Sequence, residues 1–156
     1  MEIRIAKKED LGQLINILEQ ISQIHYESRP DIFKKKSKMQ VKEDAIGIMN
    51  DKDKKVLVAI DNTSKIYGVL IYKIKEVKNH INLKDSKILW IDELGVDEKY
   101  RGKGIGRSLM EEASIISKKL NCQRIELNCW DFNKKAISFY EKFGMSLQRR
   151  IMEKEI

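Results

Sequence analysis

The segment Leu94-Gly95-Val96-Asp97-Glu98-Lys99-Tyr100-Arg101-Gly102-Lys103-Gly104-Ile105-Gly106-Arg107 limits the possible folds more than any other stretch of this chain. The apolar run from Lys87 to Val96 reads as a strand that enters a glycine-rich turn. Beyond the turn, Ile105, Leu109, Ala113, Ile116 and Leu120 recur at helical spacing. A further strand is expected over Arg124 to Cys129, with Ile125, Leu127 and Cys129 on one face. A strand–helix–strand unit of this kind calls for a right-handed parallel crossover. The turn also has a chemical meaning. N–H groups at a helix start lack intrahelical partners, and glycines let the backbone approach an anion and adopt positive φ. The helix dipole favours negative charge at the same place. Arg101, Lys103 and Arg107 add mobile positive charge. The G-x-G-x-G spacing matches neither the dinucleotide fingerprint nor the P-loop. Alone, it specifies either an anion-binding helix start or a tight turn with a basic rim.

The remaining pattern completes a mixed α/β chain. Met1 to Lys7 reads as a short strand. Leu11, Leu14, Ile15, Leu18 and Ile21 form a helical stripe, with Asp10 placed to cap or complement the helix start. Ser28-Arg29-Pro30-Asp31 breaks that helix, and Val41, Ala45, Ile46 and Met49 mark a second one. Val56 to Ile60 and Ile66 to Ile74 flank the turn cluster Asp61-Asn62-Thr63-Ser64 and suggest an antiparallel hairpin. Ala136, Tyr140 and Phe143 lie at helical spacing before Gly144, a helix-terminating residue. Leu147 to Ile156 is expected to form a last strand. The order is β-α-α-β-β-β-α-β-α-β: a mixed sheet with helices on both faces, in a single domain over residues 1–156.

With 156 residues the chain can bury a core without disulfides or metals. The two cysteines, Cys122 and Cys129, are too few for a disulfide framework and match no zinc motif, so no metal is expected. No apolar run approaches the roughly 18 residues of a membrane span. Without a signal or lipidation motif at the N-terminus, the expected location is the cytoplasm. The net charge of +7 suits anionic ligands, phosphorylated cofactors and nucleic acid alike.

Two blocks together carry a family resemblance. Arg101, Gly104 and Gly106, with Val96 ahead of them, resemble the [RQ]-x-x-G-x-[GA] motif of the GNAT superfamily of N-acetyltransferases. Downstream, Asn133-Lys134-Lys135-Ala136-Ile137-Ser138-Phe139-Tyr140-Glu141-Lys142-Phe143-Gly144-Met145 is similar to that family's N-x-x-A-x-x-[FL]-Y-x-x-x-G-[FM] segment. The resemblance covers essentially the whole chain, more loosely before residue 87. It implies a GNAT fold whose sheet splays between its fourth and fifth strands, with acetyl-CoA as cosubstrate. Gly102, Lys103, Gly104, Ile105, Gly106 and Arg107 would offer main-chain donors to the pyrophosphate. Leu94, Gly95 and Val96 would pair with the pantetheine arm. Asn133 would bond that arm from the facing side, with Ala136 nearby, and Tyr140 would sit near the sulfur.

The implied reaction is acetyl transfer to a primary amine of a small molecule or peptide. The nearest resemblance is to the spermidine/spermine acetyltransferase branch, which carries an acidic pair before the L-x-V position. Asp92 and Glu93 occupy it here, in the order opposite to the commoner one, so either is a candidate general base. Neighbouring strand residues point to opposite faces, so one at most should face the acceptor unless a bulge intervenes. Tyr140 is the candidate donor to the leaving thiolate. Tyr26, Glu27, Arg29 and Trp130 are candidates for the acceptor wall. A homodimer is compatible with the resemblance. The competing classes are a non-catalytic acyl-CoA-binding regulatory protein on the same fold and a basic nucleic-acid-binding module. The chain shows no RNP or zinc-finger motif for the latter.

Overall fold

The computed structural model describes residues 1–156. Five strands, β1 (Glu2–Ile5), β2 (Lys54–Ile60), β3 (Ile66–Val77), β4 (Ser86–Val96) and β5 (Arg124–Leu127), form one sheet in sequence order. The first four pair antiparallel, and β5 pairs parallel to β4 after the crossover through a helix. Helices α1 (Leu11–Ser28) and α2 (Lys38–Asn50) cover one face; α3 (Ile105–Lys119) and α4 (Lys134–Lys142) cover the other.

The alternation of the central strands explains this two-sided core. Leu57, Ala59, Leu70, Tyr72, Leu89 and Ile91 pack against Ile105, Leu109, Met110 and Ala113 of α3. Val56, Val58, Ile60, Val69 and Ile71 pack on the other side against Leu14 and Ile17 of α1. Such double burial suits continuous Val/Ile/Leu runs. Helix α2 begins at a capping box in which Ser37 Oγ accepts from the Gln40 N–H and Gln40 Oε1 accepts from the Ser37 N–H.

One expectation is narrowed and two change. Asp10 occupies the N-cap position of α1, where it can complement the helix start, but makes no side-chain cap bond. Its carboxylate accepts two bonds from Arg4, at 2.7 and 3.0 Å, and one from the Lys7 N–H at 2.6 Å. These bonds pin β1 to the start of α1, and the one from Arg4 leads in holding the Asp10 carboxyl below its usual range. Strand β5 stops at Leu127, so Cys129 lies outside the sheet. Leu147 to Ile156 forms no strand. Its apolar residues, Leu147, Ile151, Met152 and Ile156, follow no period of two, so pairing would bury no consistent face. The tail is instead held by side chains: Gln148 donates to Glu126, and Glu153 bridges to Arg29 at 2.7 Å.

Candidate active site

The ladder between β4 and β5 runs from Ile88↔Arg124 to Ile91↔Leu127 and ends there. Strand β4 continues to Val96 with β3 on one side alone. A slot therefore opens along Asp92–Val96, where main-chain groups lack a strand partner. The β3–β4 register explains the opening. Tyr72 pairs with Ile91 and Ile71 pairs with Glu93, so Asp92 is the extra residue of a β-bulge. A bulge bends its strand and disrupts local pairing.

At the end of the slot lies the glycine turn. Gly102 has φ of 79° and Gly104 has φ of 81°, the left-handed region that favours glycine. Gly104 is the N-cap of α3 and offers no side-chain cap. No main-chain N–H from Gly102 to Arg107 finds an acceptor within the protein. A Cβ at Gly102 or Gly104 would meet nothing within 4 Å, so the space before these donors is open. At Gly106 a Cβ would meet the Phe139 ring of α4 at 3.4 Å, an ordinary contact distance. The cations are anchored locally: Arg101 Nε donates to the Val96 carbonyl at 3.1 Å, Lys103 lies over the Tyr100 ring, and Arg107 pairs with Glu111. These uncapped donors fit a pyrophosphate, and the slot fits an extended arm.

On the α1/α2 face, a cleft of about 520 Å³ lies beside the same strand. Leu18, Ile21, Ser22 and His25 of α1, Phe33 and Lys36 of the α1–α2 loop, Glu43, Asp44 and Asp51 around α2, Lys54 and Glu93 line it. The bulge places both neighbouring carboxylates on this face. Asp92 lies 3.1 Å from Lys54 Nζ and 3.5 Å from Lys73 Nζ, in ion contact without hydrogen-bond alignment. Glu93 has no ion pair and no hydrogen bond with the protein. Burial, reinforced by the Asp92 charge, pushes its pKa up to about 7 against opposing pulls from Lys36 and Lys54.

Across the slot, Tyr140 of α4 packs against the α3-side core. Burial holds its phenol well above the usual value, and Cys129 and Glu93 raise it further. The Cys129 thiol is itself raised by burial. Asn133 caps α4: its side-chain oxygen accepts from the Ala136 N–H at 3.1 Å, which leaves its NH₂ group for another partner.

The candidates for the acceptor wall separate. Glu27 lies on the opposite side of α1 from the cleft, in a second groove with Gln23, Glu98 and Arg101. Tyr26 lines neither. Arg29 spends its donors on Asp31 and Glu153 and lies over Trp130, 5.9 Å from the ring centroid. Trp130 meets Phe33 edge-on at 5.1 Å, and Phe33 stacks on His25 at 4.8 Å. Trp130 thus supports the wall from behind. His25 and Phe33 escaped the sequence reading, although His25 falls on the helical stripe of Leu18 and Ile21.

Comparison with known proteins places the chain among acetyltransferases. A spermine/spermidine N(1)-acetyltransferase of Bacillus subtilis (strain 168) is 29% identical over 76 residues, covering 44% of this chain and 50% of the relative. The chain thus spans about half the length of that curated relative. The solved tetramutant of the BH1408 protein from Bacillus halodurans is 29% identical, with a TM-score of 0.94 over 100% of both chains. Glucosamine-6-phosphate N-acetyltransferase from Arabidopsis thaliana is 25% identical, with a TM-score of 0.68 over 99% of this chain and 97% of that one. The Acetyltransferase (GNAT) family model matches residues 18–145, more than three quarters of the sequence, and the chain belongs to that family.

Proposed function

We propose that this protein transfers an acetyl group from acetyl-CoA to a primary amine of a small molecule by direct attack in a ternary complex. The observation that carries the reading is Glu93: an unpaired carboxyl in a cleft beside the slot, with a pKa raised to about 7. A general base is most effective when its pKa lies near the working pH.

The uncapped N–H groups from Gly102 to Arg107 receive the pyrophosphate, and Leu94 to Val96 pair with the pantetheine arm. The Asn133 NH₂ group bonds the arm from the other side. Glu93 takes a proton from the bound ammonium, and the free amine attacks the thioester carbonyl. The main chain near Val96 stabilises the oxyanion without moving. As the amide forms and the C–S bond breaks, the second proton on nitrogen leaves and ends on the departing sulfur by way of Tyr140. Its raised pKa keeps it protonated, so it acts as a hydrogen-bonding donor rather than as a strong acid. Asp92 is engaged by Lys54 and Lys73, which leaves Glu93 as the base of the pair. The unpaired Glu93 and Tyr140 on either side of the slot favour an enzyme over a regulatory acyl-CoA binder.

Free-thiol release should be measured with acetyl-CoA and a panel of polyamines, amino sugars and peptide amines. The expected result is turnover of at least one amine, with kcat/KM rising to a plateau above about pH 7, the Glu93 value. Thermal stabilisation by acetyl-CoA with no thiol release from any amine would overturn the enzyme reading in favour of the regulatory one.

A further inference from the structure

The loop between α1 and α2 carries a lysine into the cleft assigned to the acceptor amine. Residues 34–37 have no regular structure, and Lys36 lines the same cavity as Glu93. Its ionic partner is Asp44 of α2, at 2.6 Å. The two side chains are 41% and 49% exposed, and an ion pair this accessible to water holds its partners weakly. Lys36 can therefore leave Asp44 at small cost. Its charge already acts at Glu93, where it opposes the upward shift of the carboxyl. The other cleft lysines are placed differently. Lys54 starts β2 and is in contact with Asp92 at 3.1 Å. The charge of Lys34 is not among those that shift Glu93.

We propose that Lys36 is an acceptor in cis: with acetyl-CoA bound and no amine in the cleft, Lys36 Nζ turns from Asp44 toward Glu93 and is acetylated by the protein's own site. This rests on the reading of the site as an acetyltransferase with Glu93 as base. The Lys36 ammonium gives one proton to Glu93. Nζ then bonds the thioester carbonyl carbon, and the C–S bond breaks with its electron pair on sulfur. The second proton leaves nitrogen as the amide forms and ends on coenzyme A sulfur by way of Tyr140. Glu93 finally returns its proton to solvent. The products are Nζ-acetyl-lysine, free coenzyme A and one proton. An acetylated Lys36 is neutral and cannot pair with Asp44, so the cleft wall gains an uncompensated carboxylate beside Glu43 and Asp51.

The test incubates the intact chain with acetyl-CoA in the absence of amine, followed by intact-mass and peptide mass spectrometry. Thiol release with the amine panel is measured in parallel. The expected result is one acetyl group on Lys36, with a first-order rate constant independent of protein concentration. A saturating amine substrate should slow it at least about tenfold by occupying the cleft. Glu93→Gln should slow it by about the hundredfold or more typical of losing a general base. Lys36→Arg keeps the charge opposite Asp44 and should remove the modification. Acetylation on Lys34, on Lys54 or spread over surface lysines overturns the proposal. So does a rate constant that rises with protein concentration, or an undiminished rate in Glu93→Gln. Amine turnover without any mass gain also overturns it and leaves the transferase reading standing. Absence of both thiol release and mass gain removes both.

Discussion

The turn before α3 and the cleft under α1 and α2 adjoin the same strand, yet they are built from different material. The turn is made of main chain: consecutive N–H groups, two glycines at positive φ and a helix start without a cap. The cleft is made of side chains from α1, a loop, α2, β2 and one residue of β4. A main-chain site depends on backbone conformation and tolerates exchange of its flanking side chains. A side-chain site fails when one group changes. The first should be broken by conformation and the second by chemistry.

The largest expected effect is on the cleft side. Glu93→Gln removes the base while keeping its shape, and kcat/KM should fall by about 10²–10⁴ with loss of the acidic limb near pH 7. The same carboxyl marks the stability profile. Its folded pKa is raised, so its contribution is fully present below the unfolded value of about 4.5 and is lost as pH rises through about 7. Chemical denaturation from pH 4.5 to 8 should show a decline in the parent chain that Glu93→Gln lacks, of no more than about 3 kcal/mol.

On the turn side, Gly104→Val forces a β-branched residue into φ of 81°. KM for acetyl-CoA should rise about tenfold or more while kcat changes little. An unchanged constant in a folded variant would contradict the pyrophosphate placement. Where the regions meet, Gly95 packs so close to α1 that a Cβ would lie 2.5 Å from Ile21 Cδ1. Gly95→Ala should cost about 1–3 kcal/mol in chemical denaturation. The smallest effect is that of Asp92→Asn, which removes a charge that raises Glu93. The acidic limb should move to lower pH by less than about one unit, and a limb that stayed in place would deny the coupling.

This contrast also decides what could be read without coordinates. The turn was legible because its signal is contiguous: strand, glycines and helix follow one another, and Asn133 and Tyr140 stand at fixed intervals behind them. The cleft was not, because Phe33, Asp51 and Glu93 are distant in sequence and polar residues on a helix resemble a solvated face. Tyr26, Glu27 and Arg29 stand at the helix break, where the sequence does not mark which way each side chain faces. Glu27 turns to the other side of α1, whereas His25 faces the cleft. The choice between Asp92 and Glu93 was closed to period-two reasoning, since the bulge that settles their faces leaves no mark in composition. The absent last strand is an error of the same kind. Apolar residues after Leu147 suggested pairing, but their spacing offers the sheet no face.

The bulge at Asp92 has a consequence for how such a site could arise. Because Ile91 and Glu93 already pair with adjacent residues of β3, removing Asp92 would restore a regular ladder and keep Glu93, Gly95 and Val96 on their present faces. A shortened β4 would run straight, and β5 could keep pairing past Leu127 and close the slot. Read in the other direction, inserting a single codon into an ordinary strand pair would open a channel for a long thin ligand. The same insertion would set a second acid beside the first. A binding groove and a tuned proton acceptor need not have been separate inventions.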